Sequence, residues 1–156
     1  MQSWAAAIEA LPLARSLSAS IWLYPLVNAG HVLGIALLLG AVVPLDLRLL
    51  GAWRAQPLLP LWTVLGQTAA AGLGLAMACG ALLFVTRATE YLASPLFVAK
   101  MVCLTVGIGN AAWLRLKSGD SPCWHAQPPL HARMAAVVSL VAWLATMVLG
   151  RWIGYR

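Results

Sequence analysis

The residues whose types and spacing suit chemistry lie inside or beside long apolar runs. His31 falls within the uncharged stretch from Ser16 to Leu45. That is about 16 Å along a helix begun near residue 20, at a depth where an imidazole turned to lipid is badly placed. It is therefore expected on an interior face. Asn28 and Tyr24 precede it at helical spacing, so Tyr24, Asn28 and His31 are expected to form one polar stripe, with Asn28 orienting the ring.

A second stripe, Lys100, Cys103, Gly107 and Asn110, recurs at the same spacing in a later run. Lys100 lies about 8 Å inside its helix and either snorkels to the headgroups or points inward to meet an anion. Compared by depth, Arg87, Lys100 and Arg151 gather towards one face. There they form either an ordinary interfacial belt or a site for porphyrin propionates, a quinone head or a lipid phosphate.

Met77 is expected near the depth of His31, about 13 Å from the end of its own helix. Histidine and methionine are both haem-iron ligands, and the small residues around Met77 would let a flat macrocycle approach. Methionine in such a helix is otherwise packing. Cys79, Met77, Met101 and Met147 with His31 form an alternative soft set suited to copper(I). Cys123, His125 and His131 are too scattered for a zinc motif and read as a solvated loop. Asp46 and Arg48 read as structural, pairing with each other or with Arg54, Arg115 or Arg133. Hydrolytic triads, phosphate loops and dinucleotide fingerprints are missing.

The elements that must position these groups follow from the run lengths. About 20 apolar residues cross a bilayer, and four runs qualify, with crossings expected at about 20–43, 62–85, 95–113 and 133–153. Gly51 is a plausible stop for the first. Ser94-Pro95 opens the third with a capping serine and a proline in the first turn. The second is rich in small residues along two lines, Gly66, Ala70, Gly74, Ala78 and Gly72, Ala76, Gly80, so helices can approach it closely on two sides. Before the first crossing, residues 3–11 carry apolar groups at helical spacing up to Pro12 and are expected to form a short interfacial helix. The expected fold is an all-α integral membrane four-helix bundle in one domain, with both termini on one side of the membrane.

Composition agrees: 62% of the residues are hydrophobic and 9% charged, beyond what a soluble core can bury. The net charge of +6 comes from residues flanking the apolar runs, where they anchor helix ends, so lipid and not nucleic acid is the expected partner. Loop charge slightly favours the Arg48 face as cytoplasmic. The cysteines suggest no disulfide framework, and neither a basic leader region nor a clean cleavage pattern is evident, so a cleaved signal peptide is not expected.

In order along the chain, Tyr24-Pro25 with Asn28 and His31, Asp46-Leu47-Arg48-Leu49-Leu50-Gly51, Ser94-Pro95 with Phe97 and Lys100, and Gly150-Arg151-Trp152 resemble an uncharacterised family of small bacterial membrane proteins. That family is distantly similar to the CopD-type copper-resistance domain and to HemJ-type protoporphyrinogen oxidase. In HemJ-type proteins a histidine of the first crossing and a lysine of the third are the functional pair, and a b-type haem is carried. The similar positions here are His31 and Lys100, while a second intramembrane histidine is lacking. The resemblance implies a multi-pass protein of the bacterial inner membrane.

The leading expectation is a haem b-binding redox protein, with His31 on iron and Lys100 and Arg87 on propionates. It would act as an oxidoreductase between a membrane carrier such as quinone and a partner protein. The alternatives are a copper-handling protein and a non-catalytic subunit of an oligomer or larger complex.

Overall fold

The computed structural model describes residues 2–119 and 128–155. It is all-helical among these residues, with α1 (Gln2–Glu9), α2 (Pro12–Ala19), α3 (Leu23–Leu50), α4 (Leu58–Thr86), α5 (Ala88–Ala93), α6 (Pro95–Ser118) and α7 (Leu130–Ile153). Helices α3, α4, α6 and α7 are each long and apolar enough to cross a membrane, with mean hydropathies of 2.1, 2.0, 1.5 and 1.9. With no water in the hydrocarbon to satisfy peptide groups, a closed set of helices is the expected solution. The chain is a multi-pass membrane protein built as a four-helix bundle.

Each helix overruns its expected crossing at one end or both, although α3 begins at Leu23, three residues inside its expected start. α3 reaches Leu50, where Gly51 takes a φ of 110° and closes the end through bonds from Gly51 N–H to the Arg48 carbonyl and from Ala52 N–H to the Leu47 carbonyl. That left-handed position suits glycine, the predicted stop. Ser94 does occupy the N-cap of α6, but its hydroxyl makes no capping bond. Its carbonyl starts the helix, accepting from Phe97 and Val98.

α3 and α4 form one hairpin and α6 and α7 the other, and α3 packs on α7 to join them. α3 meets α4 backbone to backbone. A Cβ added at Gly34 would lie 2.5 Å from the Ala76 nitrogen, and one at Gly72 would lie 2.6 Å from the Leu38 nitrogen. Of the two small-residue lines on α4, the one through Gly72, Ala76 and Gly80 is therefore the seam with α3. The other is not a second helix contact: Gly66 faces the Arg115 guanidinium, while Ala70, Gly74 and Ala78 are exposed.

On the termini side the N-terminal segment is two short helices, where one was expected. α1 ends at Glu9 and Pro12 opens α2, since proline fits the first turn of a helix. α1 docks on α5, an element not anticipated, and the Glu9 carboxylate accepts bonds from Thr89 N–H at 2.8 Å and from the Thr89 hydroxyl. Stacked Phe84, Tyr91 and Phe97 then tie α4, α5 and α6 together, with Phe84 and Phe97 centroids 5.6 Å apart. At the opposite end Leu49, Leu58, Trp62, Leu114, Ala132, Ala135 and Ala136 form a buried apolar core drawn from all four long helices.

Two outcomes are expected. Replacing Gly34 or Gly72 by alanine should cost about 1–3 kcal/mol, because the obstructing atoms are backbone. Gly74→Ala, with open space around it, should stay within about 0.5 kcal/mol; thermal unfolding in detergent measures both. The two bonds from Thr89, the hydroxyl first, hold the Glu9 carboxyl below its usual range. Its contribution to docking is thus complete above the ordinary carboxylate value and lost as pH falls through the lowered one. Amide exchange in α1 and at Thr89 should quicken on acidification, and Glu9→Ala should reproduce that quickening at neutral pH.

Candidate functional site

The His31 ring is set by the α3–α4 seam. Its Nδ1 lies 2.7 Å from the Ala76 carbonyl oxygen. A carbonyl only accepts, so Nδ1 carries the hydrogen, and the neutral ring presents its lone pair at Nε2. Nε2 has no hydrogen-bond partner among the described residues. The ring is half-buried over Gly80, where a Cβ would approach its Cε1 to 3.0 Å. A side chain at 80 would press on the ring that reaches Ala76.

Asn28 does not orient this ring. The Ala76 carbonyl does, and Asn28 is exposed. At about 100° per residue Tyr24 and His31 lie within about 20° of each other, whereas Asn28 is displaced by about 40–60°. The expected stripe of three is therefore a pair. Tyr24, half-buried, lies close enough to act electrostatically on the Tyr91 phenol, whose ionisation is pushed up chiefly by burial.

Three residues of the second stripe, Lys100, Gly107 and Asn110, meet α7. A Cβ at Gly150 would lie 3.4 Å from Cε and Nζ of Lys100, and one at Gly107 would lie 3.0 Å from the Trp143 indole. The Asn110 side-chain amide donates to the Ala135 carbonyl at 2.9 Å. Lys100 thus runs along the last turns of α7, where the carbonyl end of the helix favours a cation. From there its charge acts on His31, although α3 and α6 do not pack on each other directly. His31 and Lys100 are the two predicted site residues that the fold brings within electrostatic reach across the two hairpins.

The remaining predicted residues lie elsewhere. Met77 is 51% exposed, on the part of α4 turned away from the seam. Arg87 pairs with Glu90 at 3.4 Å with both side chains largely exposed. Arg151 donates to the Tyr155 hydroxyl at 2.6 Å and stacks on its ring at 4.5 Å. Each arginine is thus engaged locally. Cys79 and Cys103 are free thiols, and Cys79 Sγ packs against Gly30, beside the His31 position. His131 meets Trp113 edge-on at 6.2 Å, and Cys123 and His125 lie outside the described residues. Among the described residues no three His, Cys, Asp or Glu side chains converge as a metal cage.

Asp46 and Arg48 do not pair with each other. Arg48, 6% exposed, gives its guanidinium to the Gln56 and Arg54 carbonyls and so folds the α3–α4 loop. Asp46, 5% exposed, is hydrogen-bonded by Ser139 of α7. Sequence reading missed Ser139, since a lone serine in an apolar run ordinarily bonds to its own helix.

Nitrogen NMR of histidine-labelled protein should show His31 as the Nδ1–H tautomer, and Gly80→Val should abolish that signature by occupying the place of the ring. An Nε2–H tautomer in the unaltered protein would mean that the Ala76 bond does not form. Compared with known protein families, with curated proteins and with solved structures, the chain matches none.

Proposed function

We propose that this chain is a haem b-binding membrane redox protein in which His31 ligates iron through Nε2. The observation that carries the reading is the Nδ1–H bond to the Ala76 carbonyl. Metal-binding imidazoles are characteristically held this way, with one nitrogen donated to a carbonyl so that the ring is fixed and the other nitrogen is freed. The bound group would supply one-electron chemistry between a membrane carrier such as a quinone and a partner protein. Lys100, whose charge acts on His31, is the residue suited to balance a propionate. Arg87 and Arg151 have local partners and fit an interfacial belt better. The half-exposed Met77 leaves His31 as the single protein ligand in this reading.

One observation favours copper(I) as a second reading. Cys79 Sγ sits against Gly30 while the His31 ring sits over Gly80, so a thiol and an imidazole occupy adjacent positions across the same seam. Soft sulfur together with imidazole suits copper(I).

Purified in mild detergent from haem-replete cells, the protein should show a Soret band and visible bands that sharpen on dithionite reduction. His31→Ala should lose them, and Lys100→Met should retain haem with an altered potential. A colourless, iron-free protein overturns the haem reading. Stoichiometric copper on the same sample, lost in Cys79→Ser, would establish the second.

A further inference from the structure

Asp46 lies near the end of α3 opposite the His31 site, about 22 Å away along the helix. It is 5% exposed, and Ser139, 6% exposed, bonds one side of its carboxyl group. The other oxygen, Oδ2, is buried without a hydrogen-bond partner among the described residues. This contact lies where α3 packs on α7, the helix pair that joins the two hairpins. One turn further along α7, the buried Trp143 indole N–H is also without a hydrogen-bond partner among the described residues.

Among the described residues no cation pairs with the carboxyl group. On α3, Arg48 is turned to the Arg54 and Gln56 carbonyls. On α7, Arg133 is exposed and Ser139 and Trp143 are neutral. The part of α4 at this end, Leu58 to Gln67, carries no titratable side chain. On α6, Arg115 lies over the Trp62 ring and Lys117 over that of Trp113. Burial and the Ser139 bond are what act on Asp46. An ionised carboxylate enclosed in this way, at the end of a membrane helix, has only the Ser139 bond to offset its lost hydration.

We propose that Asp46 is a proton-binding site of the bundle, holding an exchangeable proton on Oδ2 with Ser139 as its fixed hydrogen-bond partner. Binding makes one O–H bond on the carboxylate, and release breaks it and passes the proton to water beyond the end of α3. That end lies one turn on, where Arg48, Gly51, Arg54 and Arg133 line a small cleft. A proton suits the donor set better than a sodium ion. One carboxyl and one hydroxyl oxygen are far from a metal cation's coordination shell, whereas a proton needs a single oxygen. The site is separate from His31 and stands independently of the haem reading.

The full chain has only four acidic side chains, Glu9, Asp46, Glu90 and Asp120, which makes infrared spectroscopy decisive. Reconstituted in neutral-lipid vesicles at neutral pH, the protein should show a protonated-carboxyl stretch that moves in heavy water. The band should vanish in Asp46→Asn, shift in Ser139→Ala, and persist in Glu9→Gln and Glu90→Gln. If Asp46→Asn fails to fold, carbon-13 aspartate in an Asp120→Asn background should move the same band. The proposal is overturned by the absence of an acid band at neutral pH, by a band unmoved in heavy water, or by a band that sodium ions abolish.

Discussion

Much of the bundle's geometry depends on the direct approach of the α3 and α4 backbones at Gly34, Gly72 and Ala76. In lipid, helices gain little by hiding apolar side chains from a solvent that is itself apolar, so close packing and interhelical polar bonds must hold them. Glycine at 34 and 72 removes the atoms that would keep the two chains apart. The same closeness brings the Ala76 carbonyl, already part of α4, within reach of the His31 ring. Packing and the orientation of a functional side chain are here one requirement.

The second hairpin is built differently. Between α6 and α7 the interface is made of side chains laid over glycine or bonded to backbone: Lys100 over Gly150, Trp143 over Gly107, and Asn110 to the Ala135 carbonyl. α4 and α6 do not pack directly along their length. They are held at one end by Phe84 and Phe97 and at the other by Arg115 reaching Gly66 and Trp62. One side of the bundle is therefore tied at its ends and looser between them. Relative movement of the hairpins is easier there than across the α3–α7 contact.

The four long helices were legible because run length and the scarcity of charge report directly on the solvent, and the Lys100 face was legible because spacings of three and four keep residues aligned. Asn28 was misplaced because its offset of about 40–60° is the same as those along the Lys100 face, and only the neighbouring helix decides whether a residue so displaced is covered. The line Ala70, Gly74, Ala78 looks like the line Gly72, Ala76, Gly80 in sequence, and only the neighbouring helix decides which is used. Glu9 with Thr89 and Asp46 with Ser139 pair residues distant in the chain. Neither pair matches opposite charges, so nothing local announces it. α5 escaped notice because six residues are too few for a periodic pattern to emerge.

The polar residues gain meaning from the helix that carries them. α3 is packed on α4 along the glycine seam and on α7 near its other end, so it is the element with the least freedom to shift. His31 and Asp46 are both on it, towards opposite membrane faces, and each is fixed by a partner on a different neighbour: the Ala76 carbonyl of α4 and the Ser139 hydroxyl of α7. A buried polar group bonded across an interface specifies the register of that interface, because a slip of one residue leaves it unsatisfied. His31 thus registers the first hairpin internally, and Asp46 registers the first hairpin against the second. A charge on Asp46 would therefore bear on the α3–α7 contact that joins the hairpins, the contact through which Lys100 of the second is held relative to His31 of the first.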